Sequence, residues 1–169
     1  MGKDNGNIVL IGMPASGKST VGVILAKVLG MDFIDTDIVI QQREGARLTE
    51  IIETRGIDDF LRREEQALLT IHAAHTVIAT GGSAVYSDAA MRHLAKDSLV
   101  VYLEIRLEEL KNRLIDVKER GVVLKPDESI EEMYEERSAL YRNYADLTVS
   151  EAGKTIEDTV RAIAREIKA

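Results

Sequence analysis

An α/β fold, three-layered with a five-stranded parallel sheet between helices, is predicted by three features of the sequence. Short β-branched runs alternate with longer helical patterns. The first run, Ile8 to Ile11, is unbroken apolar, as a central parallel strand buried on both faces requires. The chain, 169 residues long, fits one domain, expected over 1–169.

After the first strand, Gly12 to Gly17 reads as a loop and Lys18 to Leu29 as a helix that Gly30 ends. Phe33 to Asp35 is a second strand, and Thr36 to Arg43 a short helix closed by Gly45. Thr49 to Ile52 and Phe60 to Ala74 carry apolar residues at helical spacing on either side of Gly56, which makes 36–75 a helical insert between strands. Thr76 to Thr80 is a β-branched strand running into Gly81-Gly82-Ser83, and Leu99 to Leu103 is the next. Leu107 to Val117 is helical by pattern. Residues 118–129 are polar around Gly121 and Pro126, lack apolar periodicity and are long enough to be functional: a candidate lid. Ile130 to Tyr144 is an acidic amphipathic helix, Leu147 to Val149 the last strand, and Ile156 to Ile167 a closing helix.

Composition excludes several classes. Hydrophobic residues at 45% and charged ones at 30% are those of an ordinary globular protein. The 29 acidic residues outnumber the 22 Lys and Arg, which opposes the counterion-releasing contacts that nucleic acid demands, and with aromatics at 4% a base-stacking platform is not expected. There is no cysteine, so thiolate catalysis, disulfides and cysteine-ligated metals are excluded. No signal peptide or spanning segment is read. A cytoplasmic monomer, without membrane or nucleic-acid partners, is expected.

The strongest motif is Gly12-Met-Pro-Ala-Ser-Gly-Lys18-Ser19, a G-x-x-x-x-G-K-[ST] string between a strand and a helix. Its glycines let backbone N–H groups converge on phosphates at a helix N-terminus. Lys18 reaches the outer phosphates, and the Ser19 hydroxyl suits Mg2+. The strand Thr76 to Thr80 ends in glycines with no acid, so the metal's second anchor lies elsewhere. Asp35-Thr36-Asp37, at the end of the second strand, supplies either a helix N-cap or two carboxylates that divide the work, one toward Mg2+ and one toward a hydroxyl to be deprotonated.

Together these strings resemble the shikimate kinases: Gly12 to Thr20 with Val21-Gly22, Leu29-Gly30, Asp35-Thr36-Asp37, Thr49 to Ile52, Phe60 with Glu64, Ala79 to Gly82, Val100 to Leu103, and Arg137 with Leu140-Tyr141. The resemblance implies strand order 2-3-1-4-5 and transfer of the γ-phosphoryl of ATP to shikimate, giving shikimate 3-phosphate. It implies ATP and Mg2+ as cofactors and a small-molecule acceptor as partner. Nucleotide would be held by Gly12, Ala15, Ser16, Gly17, Lys18, Ser19 and Thr20, with Arg113 against the adenine and Arg120 of the lid on the phosphates. Mg2+ would sit at Ser19 and Asp35. Asp37 would be the base, with Lys18 and Arg120 as its catalytic companions. Gly81, Gly82, Ser83, Glu64 and Arg137 would surround the acceptor, Arg137 pairing with its carboxylate.

Three departures stand out. The arginine expected after Phe60 is Leu61, with Arg62 one helical step away; the third glycine of the Gly-Gly-Gly loop is Ser83; and the lid string is Arg120-Gly-Val-Val in place of Arg-Pro-Leu-Leu. After Val149 the family's adenine-loop string is not matched. A related kinase with another polyol or hydroxy-acid acceptor therefore stays open, as does a nucleotide-binding regulatory module with no acceptor. His72 and His75, three apart in the predicted helix, and His93 have no carboxylate at ligand-like spacing and are read as packing or surface residues. Met91 and Met133 are read as core.

Overall fold

The computed structural model describes residues 6–115 and 122–168. The five strands β1 (Asn7–Gly12), β2 (Asp32–Asp35), β3 (Thr76–Ala79), β4 (Ser98–Glu104) and β5 (Leu147–Ser150) form one sheet in the order β2-β3-β1-β4-β5, with every pairing parallel. Central β1 aligns Ile8 with Val77 on one side and with Leu99 on the other.

Alternation along the strands divides the core. Ile8 and Leu10 pack with Val101 and Leu103 against α1 (Lys18–Leu29) and α8 (Ile156–Lys168). Val9, Ile11, Val100 and Tyr102 point the other way, toward α5 (Asp88–Ala95), α6 (Leu107–Ile115) and α7 (Ile130–Tyr144). Met91 and Met133 are both fully buried in that second layer. The insert, α2 (Thr36–Glu44), α3 (Leu48–Arg55) and α4 (Ile57–Leu69), has its own apolar cluster of Ile40, Leu48, Ile51, Phe60 and Ala67, which Val123 joins from beyond the candidate lid's arginine.

The structure corrects three sequence readings. The helix expected over Phe60 to Ala74 is α4, which starts earlier and stops at Leu69, where the Thr70 hydroxyl donates to the Ala67 carbonyl at 2.6 Å and closes the last turn. His72 and His75 therefore do not share a helix face. His75 has a left-handed φ of 53°, while the rings of His72 and His93 meet edge to face at 5.2 Å. Helix α5 is absent from the reading above, although Ser87 caps it by accepting from the Ala90 N–H and Ala90, Met91 and Leu94 bury its inner face. The predicted Leu107 to Val117 is described as far as Ile115, and Arg120 lies outside the described residues. Residues 122–129 contain no helix or strand.

Candidate active site

The phosphate loop turns between β1 and α1 as its glycines dictate. A Cβ on Gly12 would lie 2.7 Å from the Leu103 carbonyl oxygen, so any larger residue would push the loop off β4. Ala15 takes φ 63°, rare for a residue with a side chain. Its carbonyl is held by Arg113 Nη1 at 2.9 Å, and Arg113 also pairs with Glu109 and stands 3.9 Å from the buried Glu151. Arg113 thus reaches the rear of the phosphate loop and does not line the cavity described below.

Lys18 is buried, and its ammonium donates to the carbonyls of Gly12 at 2.9 Å and Met13 at 2.7 Å. Burial is the main cause bringing it down to about 8, opposed by the charge of Asp37. The Ser19 hydroxyl donates to Asp35 Oδ2 at 2.6 Å. Asp35 Oδ1 accepts from the Asp37 N–H at 2.9 Å, so Asp35 is the N-cap of α2 and also faces the phosphate loop. One carboxylate and one hydroxyl beside a phosphate-binding loop are the hard oxygen donors that Mg2+ takes together with phosphates and water.

A cavity of about 210 Å³ opens between this loop and the insert. Ala15, Gly17, Lys18, Ser19 and Thr20 line one side; Asp37, Glu64, Gly82, Ser83 and Arg137 line the other. Asp37 is pushed up to about 6 by burial and, second, by Asp35. Glu64 is 2% exposed and is raised to about 7, chiefly by burial. Its Oε1 accepts from Ser83 Oγ at 2.7 Å; its Oε2 has no hydrogen-bond partner. Arg137 is 1% exposed, lies over the Tyr86 ring at 5.1 Å, and donates to the Tyr86 hydroxyl at 3.1 Å and to the Val123 carbonyl. The Tyr141 hydroxyl donates to the Gly82 carbonyl at 2.6 Å and fixes that peptide.

Not every expected residue lines the cavity. Gly12 and Ser16 are behind the loop surface, Asp35 is reached through Ser19, and Gly81 lies beside Asp37 and Glu64. Leu61 packs into the insert's apolar cluster, exposed Arg62 pairs with Asp59 at 3.3 Å, and Arg63 pairs with Asp59 and Glu44, so no arginine of α4 replaces the missing one. The cavity also uses Pro14, Leu48, Phe60, Thr80, Val122 and Val123. Of these, Phe60 follows from its place beside Glu64, whereas Leu48 and Val123 converge only through the fold. Among the described residues no group of three or more His, Asp or Glu gathers as a metal site, and no helix is long and apolar enough to cross a membrane.

Comparison with known proteins gives the family of the chain. The family model described as shikimate kinase matches residues 14–168. A shikimate kinase of Thiobacillus denitrificans is 36% identical over 93% of this chain and 87% of its own length, and one of Pasteurella multocida is 36% identical over 95% and 92%. A shikimate kinase from Acinetobacter baumannii, solved in complex with shikimate, superposes with a TM-score of 0.86 at 30% identity over 98% of this chain and 94% of that one. The phosphate loop, the acidic pair at the end of β2 and the buried arginine of α7 sit in a chain matched almost end to end, and the chain belongs to the shikimate kinase family.

Proposed function

We propose that this chain transfers the γ-phosphoryl group of ATP to a hydroxyl of a small polyhydroxylated acid, shikimate, yielding shikimate 3-phosphate and ADP. The observation that carries this reading is the cavity itself, in which the phosphate-loop residues Lys18 and Ser19 face Asp37 and Arg137. Family membership favours shikimate as the acceptor.

In this reading the acceptor's carboxylate pairs with Arg137 and its reacting hydroxyl lies at Asp37. The acceptor oxygen forms the new bond to phosphorus, the bond from phosphorus to the bridging oxygen of ADP breaks, and the hydroxyl proton passes to Asp37. A carboxylate raised to about 6 is ionised at neutral pH yet holds a proton better than a free aspartate, as a general base should. Lys18 exchanges loop carbonyls for phosphate oxygens. Ser19 and Asp35 would hold Mg2+, which neutralises charge on the phosphates. The 36–75 insert forms the acceptor wall, and 118–129 acts as a lid carrying Arg120 to the phosphates. Arg113 supports nucleotide binding from behind the loop. One chain supplies all the walls described, which suits a monomer working in the cytoplasm, where ATP is supplied.

A coupled ADP-release assay with ATP and Mg2+, comparing shikimate with quinate and a panel of polyols and hydroxy acids, tests the reading. Saturable turnover with shikimate is expected. No shikimate-dependent ADP release at high protein concentration overturns it. A kinase for another polyol acid is the second reading, favoured by Leu61 standing off the cavity and Ser83 standing in it; the same panel would reveal its acceptor. A regulatory module with no acceptor is opposed by Lys18 and Asp37 sharing one cavity.

A further inference from the structure

Behind the phosphate loop lies a buried acid that the phosphoryl-transfer steps above do not use. Glu151, the residue after β5, is 6% exposed, and its Oε2 has no hydrogen-bond partner among the described residues. Its backbone N–H donates to the Glu104 carbonyl at 2.9 Å, which pins it at the carboxyl end of the sheet. A buried carboxylate without a bonded partner is costly when ionised.

The charges around it come from three elements and its own segment. On α6, Arg113 Nη1 stands 3.9 Å from Glu151 Oε2, but that nitrogen donates to the Ala15 carbonyl at 2.9 Å, and Nη2 is taken by Glu109. Lys18, at the start of α1, feels the charge of Glu151 while its ammonium is tied to loop carbonyls. At the end of β4, the Glu104 carboxylate is turned to Arg142 at 2.9 Å. Lys154 gives its ammonium to the Ser150 carbonyl at 2.7 Å. No cation therefore bonds Glu151 outright. Burial raises it to about 7, with Arg113 opposing the rise and Glu109 adding to it.

Arg113 thus has two competing acceptors. A full ion pair needs about 2.8 Å, so closing the gap to Glu151 moves the guanidinium relative to the Ala15 carbonyl. We propose that Glu151 is a positioning residue for nucleotide binding, acting through Arg113: protonated, it leaves the guanidinium on the phosphate loop; ionised, it draws the guanidinium toward itself. The ionised form also puts a negative charge behind the place where phosphates bind. Both effects weaken nucleotide binding, so nucleotide binds with uptake of a proton at Glu151. The inference rests on the phosphate-loop part of the kinase reading and not on the acceptor.

Isothermal titration of the unaltered chain and of Glu151→Gln with ADP, at pH 6, 7 and 8, tests it. Glutamine keeps the shape and removes the charge. The two proteins should bind ADP within about twofold at pH 6, and Glu151→Gln should bind about 3- to 10-fold more tightly at pH 8. At pH 7, repeated in buffers of different ionisation enthalpy, the unaltered chain should take up about 0.3 to 0.5 proton more per ADP than the variant. Lys18 is mostly charged at that pH, and protons on ADP count equally for both proteins, so the difference belongs to Glu151. Equal proton uptake, a Kd ratio that does not change from pH 6 to 8, or weaker binding by Glu151→Gln at pH 8 overturns the inference and leaves the kinase reading standing. Absence of ADP binding by the unaltered chain overturns both.

Discussion

The Ser19 hydroxyl donates to Asp35 Oδ2 across 2.6 Å, while the other oxygen of the same carboxylate caps α2 through the Asp37 N–H. Asp35 thereby joins the phosphate loop to the helical insert. The two jobs separate by substitution. Asn caps a helix about as well as Asp, so Asp35→Asn should melt within a few degrees of the unaltered chain, whereas Asp35→Ala should lose about 1 kcal/mol of stability. Both should raise the Mg2+ concentration for half-maximal activity and lower kcat/KM for ATP by roughly 10- to 100-fold, the range of a charge-assisted contact. Thermal melts and Mg2+ titrations check the two effects independently.

Asp37 and Lys18 should set opposite limbs of the pH profile. Burial and Asp35 raise Asp37 to about 6, so below that pH the base is increasingly protonated and kcat/KM for the acceptor should fall tenfold per unit. Burial lowers Lys18 to about 8, so above that pH the free protein loses the ammonium and kcat/KM for ATP should decline. Asp37→Asn should remove the acidic limb along with about 10²- to 10⁴-fold of kcat. Initial rates from pH 5 to 9.5, at low concentrations of each substrate in turn, read both limbs.

Glu64 gives a stability prediction with a definite sign. Burial raises it from 4.5 to about 7, so the folded chain binds this proton more tightly than the unfolded one. Its contribution to stability is fully present below pH 4.5 and is lost as the pH rises through 7. Glu64→Gln keeps an acceptor for Ser83 without the charge and should be the more stable protein at pH 8, by up to about 3 kcal/mol. Urea unfolding at pH 5 and pH 8 checks it; equal pH dependence in the two proteins would show that Glu64 is not the group responsible.

The fold and half of the site were legible because their signals are local. Strand runs, the glycines and the string ending in Lys18-Ser19 each require only a few neighbouring residues, and of the two readings of Asp35 the helix cap is seen directly, its other carboxylate oxygen accepting from Ser19. Arg113 shows where locality fails. Its distance from Ala15 along the chain hides a contact of 2.9 Å, and while its partner Glu109 is only one helical turn away on α6, Glu151 comes from the segment after β5. Leu61 was legible as a departure, but its turn into the apolar cluster with Ile40 and Phe60 depends on how three helices pack.

Arg113→Met should therefore act on nucleotide binding through the phosphate loop. Removing the guanidinium leaves the Ala15 carbonyl without that donor and Glu151 without its nearby cation. The Kd for ADP should rise about 10-fold, consistent with one lost charge-assisted hydrogen bond, while KM for the acceptor stays within about twofold. Isothermal titration with ADP and with GDP distinguishes this role from contact with the base: a loop support weakens both nucleotides equally, whereas a contact that reads adenine weakens only ADP.

Leu61→Arg tests whether the acceptor site lacks a cation. Residue 61 lies three positions before Glu64 on α4, a spacing that puts both on neighbouring parts of the helix surface. Leu61 is only partly buried, so an arginine stem can lie along the insert's apolar cluster while its head extends toward the cavity. There it would meet Glu64 Oε2 and the acceptor's carboxylate. The expected outcome is a fall of about 10-fold in KM for shikimate with kcat little changed, the signature of uniform binding, at a cost of about 1 kcal/mol in stability from lost Leu packing. A cation beside Glu64 also favours its charged form, so the loss of stability between pH 5 and 8 predicted above should shrink in this variant. If KM is unmoved and the pH dependence of unfolding is retained, the arginine has stayed in solvent and Leu61 has no bearing on the acceptor site. If the pH dependence disappears without a gain in shikimate affinity, the new cation has been captured by Glu64, and the second charge contact is incompatible with the Ser83-held carboxylate.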